Sequence, residues 1–204
     1  MAELTKYVQA YPKAEDTPDA LMQLGMVSEF ANKEVQAKNW YRRLTRDFPQ
    51  HALAPKAEGA LRRLEIEGKP LELSGPLLGG GSFNIEQLRG KVVIVYYWAS
   101  WNKERCVADF ATLKMLLDGH ANQGLALVSV SLDNTAEEAN AFVQRTSAPG
   151  QHLFQPGGLE SPLATQYGVM VLPNLFLVDK DGKVVSRTVQ QVSGLEDELK
   201  KLLK

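Results

Sequence analysis

The chemistry that this sequence could perform centres on its single cysteine, Cys106. Two basic residues, Lys103 and Arg105, precede it, and nearby positive charge lowers the pKa of a thiol and favours the nucleophilic thiolate. Residues 103 to 118 have helical character, which would place the thiol in the first turns of a helix. The pattern predicts either a reactive thiol at a helix start or a small, partly buried residue, as free cysteine usually is.

The composition excludes several other kinds of site. One cysteine rules out an internal disulfide and a multi-cysteine zinc site, and the three histidines (His51, His120 and His152) lie far apart in the chain. We therefore expect no metal centre and no cofactor. The formal net charge of −1 gives no reason to expect nucleic-acid binding, and the longest apolar run is too short to cross a bilayer. With 44% hydrophobic and 23% charged residues, the chain is typical of a globular protein.

Residues 1–69 are predicted to form a helical domain that precedes the part carrying Cys106. They are rich in Ala, Leu, Lys, Arg and Glu and contain no β-branched runs. A shift of 37 residues places Tyr11-Pro12 on Phe48-Pro49 and Pro18 on Pro55. An aromatic-Pro step ends a helix, and the second proline can open the next one. We expect three or four helices in this segment.

Small and aromatic residues between the two copies give this segment a resemblance to one tetratricopeptide unit. Gly25 and Ala37 would let paired helices approach closely, and aromatic side chains would fill the groove between them. The residues that carry the resemblance are Ala20-Leu21, Leu24-Gly25, Phe30, Ala37, Tyr41, Leu44 and Pro49. A generic helical hairpin is the alternative, and one unit with flanking half-units is too short for a long superhelix.

From residue 70 onward the pattern changes to an alternation of strands and helices. We predict strands at 91–100, 125–132, 175–178 and 183–188, and helices at 103–118, 136–145 and 195–203. The first two strands are near-continuous apolar runs, which is typical of strands covered on both faces. Asp179–Gly182 is typical of a hairpin turn. Residues 70–204 are thus predicted to form an α/β domain, a mixed sheet with helices on both faces.

The residues around the first of these strands carry a family signature. Gly90-Lys91-Val92-Val93 followed by Tyr97-Trp98-Ala99-Ser100-Trp101 is similar to the GKVVLVxFWASWC segment of thioredoxin-fold proteins. The similarity continues, in the family's order, through Leu125–Asp133, Tyr167–Val169, Leu172-Pro173 and Phe176–Gly182. The chain resembles the membrane-tethered TlpA-like thiol:disulfide oxidoreductases and the broader alkyl hydroperoxide reductase and thiol-specific antioxidant (redoxin) group. The resemblance implies a thioredoxin-like fold for the second domain.

The chain departs from that family where the chemistry takes place. Active members carry Cys-x-x-Cys at a helix N-terminus directly after Trp-Ala-Ser-Trp, so that one thiolate attacks and the second thiol resolves the mixed disulfide. Aligned from the left on Trp101, Asn102 and Arg105 replace the two cysteines. Aligned from the right on the family's C-x-A-E-x-P-x-L pattern, Cys106 takes the resolving position and Lys103 the nucleophile position. We prefer the second alignment because it matches four side-chain types at helical spacing, and in either alignment the dithiol is absent.

The resemblance also implies roles for residues around the missing dithiol. Asp109 falls where many relatives carry an acid that serves proton transfer, although the helix dipole favours an acid in the first turns in any case. Pro173 matches the family's cis-proline, which presents backbone to a bound substrate. The candidate catalytic residues are therefore Cys106 and, more weakly, Asp109. The candidate binding residues are Trp101, Asn102, Lys103, Leu172 and Pro173.

Two functions are compatible with these residues. We expect a module that binds a protein or peptide at the surface around Trp101 and Pro173 or on the helices, because a lone thiol cannot complete an intramolecular disulfide cycle. The alternative is an oxidoreductase or antioxidant enzyme in which Cys106 alone forms a mixed disulfide or a sulfenic acid that an external thiol resolves. The tethered relatives imply an extracytoplasmic compartment, although the chain opens on helix-like residues without a leader or anchor.

Overall fold

The N-terminal helices begin and end at the prolines of the sequence. In the computed structural model, which describes residues 1–187 and 192–203, four helices occupy the first 65 residues: α1 (Ala2–Ala10), α2 (Thr17–Phe30), α3 (Glu34–Asp47) and α4 (Ala54–Leu64). Helices α1 and α3 each end directly before an aromatic-Pro step, and α2 and α4 each carry a proline in their first turn. The predicted helical segment is therefore confirmed, and residues 1–65 contain no strand.

These four helices form the first of two compact units, together with Thr165–Val169. Buried apolar side chains from the helices include Val8, Leu21, Leu24, Tyr41 and Leu44. Gly25 of α2 lies against the ring of Tyr41 in α3, where any Cβ atom would overlap the ring carbons. The predicted close approach of a small residue and an aromatic residue is thus present at this helix pair. The tetratricopeptide assignment and the domain boundary at residues 69 and 70 stay predictions.

The second unit, Ile66–Ala164 with the chain from Met170 onward, is built on a mixed β-sheet. The strands are β1 (Ser74–Pro76), β2 (Ser82–Asn84), β3 (Val92–Trp98), β4 (Leu125–Ser131), β5 (Gln151–Phe154), β6 (Asn174–Val178) and β7 (Val184–Ser186). The first two form a separate antiparallel pair, and the others form one sheet in the order β5-β4-β3-β6-β7. Strand β3 pairs in parallel with β4 and antiparallel with β6, which confirms the predicted mixed sheet.

Helices pack on this sheet through a cluster of apolar side chains. The α-helices that follow α4 in the described residues are α5 (Lys103–Gly119), α6 (Ala136–Thr146), α7 (Pro162–Thr165) and α8 (Leu195–Leu202). Because side chains alternate along a strand, Ile94, Tyr96 and Trp98 share one face of β3. They join a core that includes Phe110 of α5, Phe142 of α6 and Leu199 of α8. Within the described residues, no helix combines the length and apolar character needed to cross a bilayer.

Several element boundaries differ from the predictions. The strand predicted over 91–100 ends at Trp98, because the Ser100 backbone N–H and hydroxyl both donate to the Asp133 carboxylate instead of joining the sheet. The β1–β2 pair and β5 were not predicted, since the former is rich in turn residues and the latter is a four-residue edge strand too short to show a period. The strand predicted over 183–188 is observed over Val184–Ser186, and Thr188 lies outside the described residues.

Candidate functional site

The candidate site lies at the junction between β3 and α5. Helix α5 begins at Lys103, and Asn102 precedes it without a side-chain capping hydrogen bond. The backbone N–H of Cys106 donates to the Asn102 carbonyl over 3.0 Å. Lys103 is therefore the first helical residue, and Cys106 lies three residues further on, in the first turn of the helix.

A buried carboxylate fixes the start of this junction. Asp133 lies two residues beyond the end of β4 and is fully buried. Its Oδ1 accepts from the backbone N–H and the hydroxyl of Ser100, each over 2.8 Å, and its Oδ2 accepts from the Ser131 hydroxyl over 2.8 Å. Hydrogen bonds to an ionised group are among the stronger ones in proteins. Asp133 therefore directs the chain out of the sheet and towards α5.

Cys106 lies in the core and not at a reactive surface. The residue is 1% exposed, and its Sγ donates to the Ala99 carbonyl over 3.3 Å. Burial raises the pKa of the thiol above its ordinary value and outweighs the hydrogen bonds at the sulfur, which act in the opposite direction. Of the two alternatives that the sequence left open, this favours the small buried residue over the reactive thiol, because the sulfur is withdrawn from water and Arg105 pairs with a carboxylate.

That carboxylate belongs to Asp109, which is itself buried. Its Oδ2 accepts from Arg105 Nε over 2.8 Å and from the Tyr96 hydroxyl over 2.9 Å. The single proton of the Tyr96 hydroxyl is thus directed to the carboxylate, and the Cys106 Sγ lies 3.9 Å from the oxygen of that hydroxyl. Burial raises the pKa of Tyr96, so this hydroxyl stays protonated. In this geometry Asp109 holds Arg105 and Tyr96 in place and makes no hydrogen bond to the thiol.

The other side of the junction is open to solvent. Trp101 is 60% exposed, Lys103 is exposed and Asn102 is half-buried. The indole of Trp101 is therefore an apolar surface available for contact. Most large apolar side chains in this part of the molecule, including Trp98, are buried instead.

The predicted cis-proline lies at the same end of the sheet. The antiparallel pairing of β3 with β6 sets Tyr97 opposite Asn174, so Pro173, the residue before Asn174, continues past the end of that pairing beside the start of the junction. The Leu172–Pro173 peptide bond is cis, as predicted, and both residues are half-buried. The fold thus brings the two groups of candidate binding residues to one sheet end, whereas the candidate catalytic residues are buried.

A series of buried and partly buried hydrogen bonds holds Trp98 at the end of β3. Its Nε1–H donates to Ser129 Oγ over 3.0 Å, and the Ser129 hydroxyl donates to His152 Nδ1 over 2.7 Å. His152 Nε2 donates to the Ala148 carbonyl over 3.2 Å, and a carbonyl can only accept. Burial lowers the pKa of His152, which favours the neutral ring that these hydrogen bonds require.

The contacts of Tyr96 and Arg105 with Asp109, and of Asp133 with Ser100, were not predicted from the sequence. Two signals were available: Arg105 and Asp109 are four residues apart on one helix, and Asp133 follows a buried parallel strand. No local pattern marks Tyr96, because its contact with Asp109 depends on how α5 packs against β3. Across residues 1–187 and 192–203, His, Cys, Asp and Glu side chains form no group of three or more that could hold a metal ion.

Known proteins share this sequence pattern. A family model described as Thioredoxin-like matches residues 90–184. The thiol-disulfide oxidoreductase ResA of Bacillus anthracis is 30% identical over 148 residues, a match that covers 68% of this chain and 72% of the relative. The thiol:disulfide interchange protein HelX of Rhodobacter capsulatus is 27% identical over 113 residues, a match that covers 55% of this chain and 60% of HelX.

Solved structures share the fold. A thiol-disulfide oxidoreductase from Bacteroides fragilis superposes with a TM-score of 0.59 and 26% identity over 65% of this chain and 98% of that one. A thioredoxin-family thiol:disulfide interchange protein from Chlorobium tepidum superposes with a TM-score of 0.56 and 18% identity over 66% of this chain and 96% of that one. The chain therefore belongs to the thioredoxin-like family of thiol-disulfide oxidoreductases that includes ResA.

Proposed function

We propose that this protein is a thioredoxin-fold binding module that holds a protein or peptide partner at the surface around Trp101 and Pro173 and performs no dithiol chemistry. One observation carries the proposal. The only thiol of the chain, that of Cys106, is buried, whereas the large apolar side chain of Trp101 in the same junction is 60% exposed. The site therefore offers a contact surface without an accessible thiolate.

The loss of chemistry is supported by what disulfide exchange requires. A thiolate must attack a disulfide sulfur, and a second thiol must release the mixed disulfide. Lys103, at the position preferred for the nucleophile, has no sulfur, and Cys106 is a buried thiol with a raised pKa. The same burial weighs against an oxidoreductase or antioxidant enzyme that works through Cys106 alone, because such a thiol must meet its substrate in solution.

The binding role is supported by the apolar surface at this end of the sheet. Exposed aromatic side chains are frequent anchors in protein interfaces, because they cover a large area with little rotamer freedom to lose. Val171, which is 44% exposed, adds apolar surface directly before the half-buried Leu172 and Pro173. An extended segment of a partner could contact both Trp101 and this loop, since both lie at one end of adjacent strands.

The compartment is part of the proposal. We place the protein outside the cytoplasm on its resemblance to the membrane-tethered TlpA-like oxidoreductases alone. The partner would then be a protein or peptide of that compartment. A nucleic acid is a poor candidate, because the formal net charge is −1.

Replacing the exposed indole tests the binding role. A phage-displayed library of random linear peptides without cysteine would be selected on the native protein, and the enriched peptides would be titrated by fluorescence anisotropy. We expect Trp101→Ala to weaken binding at least tenfold, which corresponds to about 1.4 kcal/mol.

Met115 supplies the matched control. It is an apolar residue of α5 that is 67% exposed, and Met115→Ala should leave the same affinities within about twofold. A library that yields no binders, or binders that Trp101→Ala does not affect, would contradict the proposed function.

A further inference from the structure

A partly buried ion pair and a tyrosine hydroxyl join three of the N-terminal helices. The Glu29 carboxylate of α2 accepts from Arg63 of α4 at both oxygens, from Nη1 over 2.9 Å and from Nη2 over 3.0 Å. The Tyr41 hydroxyl of α3 donates to Glu29 Oε1 over 2.6 Å. The Arg63 side chain is 7% exposed and that of Glu29 is 19% exposed. We call these three residues, Glu29, Tyr41 and Arg63, the Glu29 clasp.

The clasp also holds a segment from far along the chain. Arg63 Nε donates to the carbonyl oxygen of Tyr167 over 3.0 Å, and Tyr167 is buried. All five residues Thr165–Val169 belong to the same compact unit as the four helices. The guanidinium therefore ties helix α4 to this segment with one edge and to Glu29 with the other, as the planar fork of arginine allows.

Two glycines show that the segment lies directly against the backbone of α4. A Cβ atom on Gly59 would overlap the Thr165 carbonyl oxygen, and one on Gly168 would overlap the backbone N of Ala60. Gly168 also has φ of +55°, a conformation that other residues adopt at a cost. The contact is therefore backbone to backbone, and larger residues would separate the two.

The segment leads directly into the candidate binding loop. Val169 is followed by Met170, Val171, Leu172 and Pro173, and Asn174 then begins β6. Four residues span at most about 14 Å when extended. The loop is therefore fixed by the sheet at its end and by the segment that the helices hold at its beginning.

We infer that the Glu29 clasp orders the loop 170–173 by holding Thr165–Val169, the segment from which the loop starts. Arg63 and Glu29 are positioning residues in this inference, because they act on the loop through Thr165–Val169 and touch no partner themselves. The use of the loop in binding rests on the proposed function, whereas its ordering by the clasp does not.

The order of the loop can be measured in the full chain by ¹⁵N relaxation. In the native protein we expect amide order parameters at Met170, Val171 and Leu172 near those of rigid backbone, about 0.85. In Arg63→Gln we expect them to fall below about 0.6, with the amides of β3 unchanged. Arg42→Ala is the matched control, since it removes an exposed arginine of α3 that pairs with Glu65.

A second variant covers the case in which Arg63→Gln does not fold. The double variant Glu29→Gln with Arg63→Met removes both charges and leaves no unpaired buried ion. A loop that stays as rigid as β3 in whichever variant folds would overturn the inference. Equal loosening of the loop and β3, or failure of both variants to fold, would overturn it as well, because the clasp would then support the whole fold and not the loop. Since the readout is order and not peptide capture, the result is independent of the binding test.

Discussion

Adding the purified protein is expected not to change the rate at which dithiothreitol reduces the disulfides of insulin. Turnover requires a second thiol that releases the mixed disulfide at an effective concentration far above that of free reductant. The chain contains one cysteine, and the residues around it, Asn102, Lys103 and Arg105, contain no sulfur. Even the first attack should be slow, because Cys106 is 1% exposed and burial raises the pKa of its thiol.

The turbidity assay for insulin reduction measures this directly, with a dithiol thioredoxin as the positive control. Turnover at the rate of that control, lost in Cys106→Ser, would show that the single thiol is catalytic and that the degenerate-site interpretation is wrong. Slow activity that survives in Cys106→Ser would come from a contaminating enzyme and would leave the expectation intact.

A single substitution, Lys103→Cys, is expected to create a dithiol and a gain in insulin reduction of about a hundredfold or more over the native protein. Lys103 is the first residue of α5, where unpaired backbone N–H groups favour a thiolate. Cys106 lies three residues later, on the same face of the helix, as a resolving thiol would. In the cycle, two thiols give up two electrons and two protons to the insulin disulfide, and dithiothreitol restores them.

The left-hand alignment supplies the control for that variant. It places the dithiol at positions 102 and 105, so its test is the triple variant Asn102→Cys, Arg105→Cys and Cys106→Ser. We expect this variant to be much less active, because Arg105→Cys leaves the buried carboxylate of Asp109 without its cation. Activity in the triple variant, together with none in Lys103→Cys, would show that the left-hand alignment is correct and that Cys106 does not occupy the resolving position.

The helical segment and the central strand were predictable because local chemistry decides them. Proline fixes where α1, α2, α3 and α4 begin or end, and these boundaries follow the sequence closely. The apolar run of β3 is long enough to indicate a buried strand by itself. Strand β5 was missed because four residues at a sheet edge are set by pairing with β4, which no local pattern encodes.

The candidate site was harder to predict because burial decides its chemistry. The sequence left two interpretations of Cys106 open, a thiol with a pKa lowered by its two basic neighbours or a small, partly buried residue. Packing of α5 against β3 removes the sulfur from water and so raises the pKa of the thiol, and Arg105 forms an ion pair with Asp109. The Glu29 clasp was also missed, because Glu29 and Arg63 are separated by 34 positions and belong to different helices.

The most direct test of the central claim, that the only thiol of this thioredoxin fold is structural, is the alkylation rate of Cys106. Iodoacetamide would be reacted with the native protein and with the protein unfolded in guanidinium chloride, each over a range of pH, and labelling followed by mass spectrometry. We expect the native thiol to react about a hundredfold or more slowly at neutral pH, because it must first be exposed by local opening. Its rate should also rise only at higher pH than that of the unfolded thiol, because burial raises the native pKa. A native rate equal to or above the unfolded rate at neutral pH would contradict the account.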